Sequence, residues 1–165
     1  MAMAPHVQHL RAAVGGARLL LSSVTAVVRD ARNSLLLVQQ SDYGVWSTPG
    51  GAVEMHETPA DAVVRETWEE TGLLVRPTRL IAVYGGPAFV VRYPNGDESQ
   101  YISSIFECAV DSGALRADGH ETLAVRFVPF DEAIQLSLSP WLPAVLPRLY
   151  DNSTAAWFEP PTWRP

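Results

Sequence analysis

Apolar residues run through this chain in short blocks with β spacing, broken once by a helical pattern. "RLLLSSVTAVV" (18–28) and "SLLLVQQ" (34–40) read as two strands joined by a turn around "RDARN". "VWSTPGGAV" is a turn-rich strand and loop. "RLIAVYG", "AFVVRY" and "SQYISSIFECAV" are again β-rich, and the Asn95-Gly96 pair between the last two carries a hairpin signal. "LAVRFVPF" is a further strand. Helical spacing is expected in "HVQHLRAAVG", closed by Gly15, in "DEAIQL", and in "SPWLPAVLPRLYD", with Ser139 as N-cap and Pro140 in the first position. Strands on both sides of a central helix indicate a mixed α/β domain. The boundaries expected are an N-terminal extension over 1–17, one domain over 18–150, and a proline-rich tail over 151–165, loosely ordered unless its tryptophans dock.

The central helix is marked at both ends. Thr58 can accept from the residue 61 amide, Asp61 can reach back to the residue 58 amide, and Pro59 sits where a missing N–H is harmless. Gly72 is a natural stop. At about 100° per residue, Glu66, Glu69 and Glu70 fall within about 100° of one another, with Ala60, Val64, Thr67, Trp68 and Thr71 opposite. This predicts a helix from Pro59 to Thr71 that packs with one face and presents carboxylates with the other. Like charges four residues apart destabilise a helix by about 0.2–0.5 kcal/mol per pair. Such a cluster reads either as a solvated acidic face or as hard oxygen ligands suited to Mg²⁺ or Mn²⁺.

Composition narrows the chemistry. All 12 basic residues are arginine, which excludes a P-loop lysine, a Schiff-base lysine and a lysine general base. A net charge of −6 without a basic run argues against a nucleic-acid partner. An anionic ligand here would need a divalent metal to offset repulsion. The single cysteine, Cys108, rules out an internal disulfide and a cysteine metal cluster and fits a reducing cytosol. No apolar run is long enough to span a bilayer and the N-terminus lacks a signal-peptide pattern, so a cytoplasmic protein without a membrane partner is expected.

The stretch "GGAVEMHETPADAVVRETWEETGL" places Gly51, Glu57, Arg65-Glu66, Glu69-Glu70 and Gly72 at fixed intervals before an apolar Leu73. It resembles the Nudix box, with every fixed position filled; Thr67 stands where the family often has an aliphatic residue. With its flanks the resemblance extends from about Val24 to Phe130. It implies an α/β/α sandwich with a mixed sheet and a loop–helix–loop, and hydrolysis of a phosphoanhydride in a nucleoside diphosphate linked to another group, with Mg²⁺ or Mn²⁺ as cofactor. It also implies Glu66, Glu69 and Glu70 as metal ligands, the Gly51 carbonyl as a further one, and an Arg65–Glu57 pair bracing the loop against the helix. The general base is Glu70, or Glu121 on the later loop "DGHET"; His120 beside it is a second candidate or an exposed loop histidine.

For the variable part of the substrate, stacking aromatics are available in Tyr43, Trp46, Tyr84, Phe89, Tyr93 and Tyr101, with Tyr101 carried forward, and Trp46 expected to pack under the loop. Arg92 and Arg126 could contact phosphate or sugar, or be strand-edge charges. Glu107 reads as structural. Two rival readings stand beside the hydrolase: a non-catalytic sensor of ADP-ribose or a related nucleotide, and an enzyme of the isopentenyl diphosphate isomerase type. The latter wants a catalytic cysteine, where Cys108 reads as a buried hydrophobe. The N-terminal helix and the tail could form a homodimer contact or pack on the domain itself.

Overall fold

A computed structural model describes residues 5–93, 95–151, 153–162 and 164. Residues 1–4 of the expected N-terminal extension, Pro94 of the hairpin, and Trp163 of the tail lie outside them. The elements are α1 (Pro5–Val14), β1 (Leu19–Val28), β2 (Leu35–Gln40), β3 (Trp46–Ser47), α2 (Pro59–Thr71), β4 (Leu73–Tyr84), a 3₁₀ turn (Pro87–Phe89), β5 (Val90–Arg92), β6 (Glu98–Gly113), β7 (Thr122–Val128), α3 (Phe130–Ala133), α4 (Leu142–Tyr150) and β8 (Trp157–Phe158).

Two sheets form the middle of the molecule. One runs β1-β6-β4-β8 with β5 also on β6, and the other runs β3-β2-β7. Strand β1 is parallel to β6, whereas β4 and β5 are antiparallel to it, so the sheet is mixed. Why the "LLLV" run is unbroken is now visible. Leu35, Leu36, Leu37 and Val38 are all fully buried, because β2 is covered on both faces. Leu35 and Leu37 join Leu142, Val145, Leu146 and Leu149 of α4 on one side. Leu36 joins Val24, Ala26, Ala62 and Val63 under α2 on the other. Helix, sheets and helix thus stack as an α/β/α sandwich. Burying each such leucine is worth about 1.5–3 kcal/mol.

The central helix has the predicted limits. Thr58 caps it by accepting from the Asp61 N–H at 3.1 Å, and Gly72, at φ 70°, donates its N–H to the Trp68 carbonyl. The Asp61 carboxylate takes the Thr58 hydroxyl at 2.6 Å rather than the residue 58 amide. Its packing face differs from the expectation. Ala62, Val63, Glu66, Thr67, Glu70 and Thr71 are buried, while Ala60 and Trp68 are exposed. Helical periodicity locates a stripe but not which stripe faces inward. Here two of the carboxylates lie on the inward side, over the loop that precedes the helix.

Three further expectations move. Strand β4 begins at Leu73 rather than Arg79 and contains Pro77. The register slips between Pro77 and Arg79, and β8 pairs β4 only at Ala82 and Val83, so Pro77 sits beside an irregularity where β4 has β6 as its neighbour and β8 does not reach. Helix α4 starts at Leu142, with no side-chain cap. Ser139 ends a turn before it, its carbonyl accepting the Leu142 N–H at 3.0 Å and its hydroxyl lying 3.4 Å from the Gln40 side chain. The tail does dock. Trp157 packs on Tyr84 at 4.8 Å between centroids and lies under the Arg148 guanidinium. Tyr84 stacks on Phe89, and Phe89 packs on Trp141, so an aromatic row runs from the tail into the interior.

The Asn-Gly signal holds. The Tyr93 N–H donates to the Asp97 carbonyl and the Gly96 N–H to the Tyr93 carbonyl, which joins β5 to β6. Glu107 is structural, as read: it accepts from Arg29 at 2.5 Å and from Arg79. The other Arg29 nitrogen caps the Leu149 carbonyl at the end of α4.

Candidate active site

The loop between β3 and α2 is held close to β1. The Val24 N–H donates to the Gly51 carbonyl at 2.9 Å, and the Ala26 N–H to the Pro49 carbonyl at 2.8 Å. That approach leaves no room for side chains. A Cβ on Gly51 would lie 2.4 Å from Glu66 Oε1. The backbone therefore forms a seat on which the Glu66 carboxylate rests.

Arg65 ties loop to helix, as the sequence implied. Its Nε and Nη2 donate to the two Glu57 oxygens at 2.8 and 3.0 Å, and Nη2 also reaches the Ala52 carbonyl. Its Nη1 serves both Glu66 at 2.9 Å and Glu69 at 3.1 Å. Hydrogen bonds from Arg65 hold the Glu57 carboxyl below its ordinary range. Glu70 is almost sealed, at 2 % exposure, and one of its oxygens accepts the Gly50 N–H at 2.9 Å.

Glu121 arrives from the start of β7. Asp118 shapes this loop by accepting the N–H groups of His120, Glu121 and Thr122 and the Thr122 hydroxyl. The Glu70 carbonyl lies equally close to the Thr122 hydroxyl, at 3.0 Å, so Asp118 and Glu70 share its one proton. Burial alone would raise the Asp118 carboxyl; those donors outweigh it and hold it low. His120 is exposed. Asp118 and Thr122 were not singled out in the sequence. The Asp-x-x-x-Thr spacing, which lets one side chain collect successive amides, was the available signal.

Glu66, Glu70 and Glu121 thus share one electrostatic neighbourhood. Burial pushes the Glu66 carboxyl up to about 7 against the pull of Arg65, and Glu69 and Glu121 add to the rise. Burial also raises Glu70 well above the carboxylate range, with Glu66, Glu121 and Asp118 adding to it. Among the described residues, no three His, Cys, Asp or Glu side chains stand in an arrangement that could hold a metal ion as they are, and Arg65 is bonded to Glu66 and Glu69. The chemistry of the set nonetheless fits a hard divalent cation. It is all oxygen, it crowds like charge into a place where burial penalises that charge, and it rests on a backbone cleared of side chains.

These pKa shifts fix a sign. A carboxyl whose folded pKa is raised lends stability below its unfolded pKa and loses it as pH climbs through the folded value. In a chelator, the metal-free protein should therefore melt at progressively lower temperature as pH rises from about 5 to about 8, and Glu66→Gln should flatten the trend. A melting series by scanning fluorimetry checks this; a flat wild-type curve would show that the buried carboxyls are not strained.

Beside this cluster lies a cleft of 420 Å³, lined by the loop at Ser47–Ala52, by Glu70 and Glu121, and by residues remote in sequence. Tyr43, Phe89, Tyr93 and Tyr101 reach it; Trp46 and Tyr84 do not line it. Trp46 packs half-buried against the main core instead, with the Arg126 guanidinium 4.9 Å from its ring centre. Arg126 also pairs with Glu132 and is not part of the cleft lining, whereas Arg92 is. Gln40, Asp42, Ser139 and Trp141 line the cleft and were not foreseen. Gln40 ends β2 and the other three come from loops; their meeting is set by α4 packing on the sheet, and no local pattern announces it.

Cys108 does not reach the cleft. It is buried, its thiol points at the Phe106 carbonyl, and burial pushes its pKa up to about 12. Burial thus keeps the thiol in its protonated, unreactive form at neutral pH. The native thiol should resist a disulfide reagent until the chain unfolds, and Cys108→Ala should retain the wild-type activity. Loss of activity in that variant would return the isomerase-type reading.

Fold and site together define an α/β/α protein whose loop–helix–loop sets clustered carboxylates at the edge of a cleft. Residues 19–149 match the model of the NUDIX domain, and the chain belongs to that family. A MutT-like protein of Streptomyces ambofaciens is 34% identical over 110 residues, covering 67% of this chain and 64% of that one. A putative ADP-ribose pyrophosphatase of Bacillus subtilis is 33% identical over 127 residues, covering 76% of this chain and 58% of that one. The chain thus spans about three-fifths of the length of the curated relatives it matches. Among solved structures, a UDP-X diphosphatase superposes with a TM-score of 0.67 at 22% identity, over 88% of this chain and 68% of that one. At that identity the likeness speaks for the fold. No helix among the described residues is long and apolar enough to cross a membrane.

Proposed function

We propose that the protein is a divalent-cation-dependent pyrophosphohydrolase that cuts the phosphoanhydride of a nucleoside diphosphate joined to a second small group. The observation that carries this reading is the pair Glu66 and Glu70, two carboxyls buried among other acids beside a ligand-sized cleft. A fold gains nothing from burying like charge unless a counter-ion completes it. Relatives described as an ADP-ribose pyrophosphatase, from Methanocaldococcus jannaschii, and a putative 8-oxo-dGTP diphosphatase, from Bacillus subtilis, support the same class of bond.

In this reading Glu66, Glu69 and Glu70 hold Mg²⁺ or Mn²⁺. The Gly51 carbonyl joins them through the lone pair that the Val24 N–H leaves unused. Bound there, the cation would offset phosphate charge and make nearby water more acidic. Arg65 stays on Glu57 and keeps the loop against the helix while Glu66 and Glu69 turn away from it. Glu121 is the general base. Glu70 is given over to the cation and to the Gly50 N–H, whereas Glu121 is the more exposed of the two on the cleft lining. The Glu121 carboxylate takes a proton from water, the water oxygen attacks phosphorus, the bridging P–O bond breaks, and two phosphorylated products leave. Tyr101 and Arg92 contact the rest of the substrate; Arg126 acts from outside the cleft, through Trp46.

The substrate is a small molecule rather than a nucleic acid, given the net charge of −6. The buried lone thiol supports a cytoplasmic setting, and the exposed Leu10 and Val14 of α1 support a homodimer that a light-scattering mass would test. The decisive experiment is a panel of nucleoside triphosphates, ADP-ribose, nucleotide sugars, CDP-choline and dinucleoside polyphosphates with Mg²⁺ and with Mn²⁺. Metal-dependent release of a mononucleotide is expected. Ligand-induced rise in melting temperature with no product at saturating metal would point instead to a binding-only sensor.

A further inference from the structure

One stretch of the cleft lining is continuous in the chain: Phe89, Val90, Val91, Arg92 and Tyr93 all reach it. Strand β5 within that stretch is short. It pairs with β6 at Val90 to Gln100, Val91 to Ser99 and Arg92 to Glu98. The chain enters it through Gly85 and Gly86, the latter at φ 85°. So short a ladder behind a glycine turn holds its place weakly unless a buried side chain pins it. Phe89 is that pin. It is 5% exposed, stacks on Tyr84 at 5.6 Å between centroids, and packs on Trp141 at 5.6 Å. Trp141 lines the cleft as well.

The Tyr84 ring is shared with the tail. Trp157 packs on it at 4.8 Å, lies beneath the Arg148 guanidinium, and pairs in β8 with Ala82. Tyr84 is 4% exposed, yet its buried hydroxyl has no hydrogen-bond partner among the described residues. Such a hydroxyl is penalised where it stands and gains partners by reaching water. Ring packing therefore holds Tyr84 inward against the pull of its own hydroxyl. Half-buried Trp157 supplies part of that packing, and Phe89 rests on the same ring.

Resting on the hydrolase reading, we propose that Trp157 is a positioning residue for substrate binding. Docked in the tail, it keeps Tyr84 inward; Tyr84 seats Phe89; and Phe89 fixes the β5 wall against the part of the substrate beyond the scissile bond. Trp157 does this without touching the substrate. Docking of the tail and occupancy of the cleft are then linked, each favouring the other by the same factor.

The test uses Trp157→Ala and Trp157→Phe in the whole chain, with Phe158→Ala as the control. Phe158 is the neighbour in β8, is 69% exposed, and belongs to none of these ring pairs. The first readout needs no substrate. Hydrogen exchange of the amides over 86–93 should quicken in Trp157→Ala and stay at the wild-type rate in the other two. The second is steady-state kinetics with Mg²⁺ and whichever compound of the nucleotide panel the wild type turns over best. Trp157→Ala should raise KM by about threefold to tenfold, the size of one ring–ring contact, with kcat within about twofold of wild type. Trp157→Phe should restore KM. Adding Tyr84→Phe to Trp157→Ala should recover part of the loss, because the outward pull goes with the hydroxyl. Trp157→Leu, which keeps apolar bulk without the ring, stands in should Trp157→Ala melt below the assay temperature.

Unchanged exchange over 86–93 in a folded variant lacking the ring would overturn the link between tail and wall. Quicker exchange with KM unchanged would overturn the positioning role and leave the hydrolase reading standing. No product from any compound of the panel would overturn the hydrolase reading and the kinetic half of the proposal, while the exchange data still decide the link.

Discussion

Glu70→Gln and Glu69→Gln should each reduce kcat by about a hundredfold or more without unfolding the protein. The two substitutions are informative together because the side chains sit so differently. Glu70 is 2 % exposed and accepts the Gly50 N–H, while the Glu69 side chain is half-exposed and bonded only to Arg65 among the contacts seen. Glutamine keeps the shape and the acceptor, so the Gly50 contact survives in Glu70→Gln. It also removes an ionisable group that burial penalises. The metal-free variant should therefore melt at the wild-type temperature or above it, while turnover collapses. A structural role alone predicts the opposite: lower melting with the activity of the remaining folded fraction intact. Steady-state kinetics with Mg²⁺, paired with melting curves in chelator, separates the two. Full activity in both variants would remove the metal-ligand assignment. Glu121→Gln belongs in the same series, because the base assigned there predicts a loss in kcat with little change in metal affinity.

Gly50→Ala should lower stability by about 3–5 kcal/mol, a drop of roughly 10 °C in Tm, and take activity with it. Gly50 has φ +150°, and a Cβ there would lie 2.2 Å from the Val24 carbonyl oxygen and 3.0 Å from Thr25 Cα. Both obstacles are backbone of a core strand, so neither can swing aside. Relief must come from the loop. That shift moves the Gly50 N–H off Glu70 and lifts Gly51 from beneath Glu66. Gly85→Ala is the matched control. Its added Cβ would meet nothing nearer than 3.6 Å, and the change should stay within about 0.5 kcal/mol. Equal melting of the two variants would show that the loop is not clamped on β1 as described.

The loop–helix–loop was legible in the chain to a degree that the rest of the cleft was not. Cap, glycine stop and carboxylate spacing all act within about one turn of helix, so they are written in consecutive residues. The Arg65–Glu57 pair, eight residues apart across the junction of loop and helix, came only from the resemblance to the Nudix box. The inward face of α2 was misjudged, since periodicity treats carboxylates as solvent-seeking and cannot know that a glycine loop waits for them. Arg126 was grouped with Arg92 on residue type alone; β7 carries it to Trp46 and Glu132 instead.

By itself, then, the sequence determined the alternation of strands and helices, the limits of α2, and the presence of a carboxylate cluster beside a tight glycine loop. Hydrogen bonds and steric limits between near neighbours decide these, and they hold whatever the remainder of the chain does. Only the tertiary structure decided which carboxyls are buried, that Asp118 and Thr122 bring Glu121 to them, and that Tyr43, Asp42 and Trp141 close one cleft. Those outcomes depend on α4 and the two sheets packing together, through contacts between residues far apart in the chain, where no local pattern records who will meet.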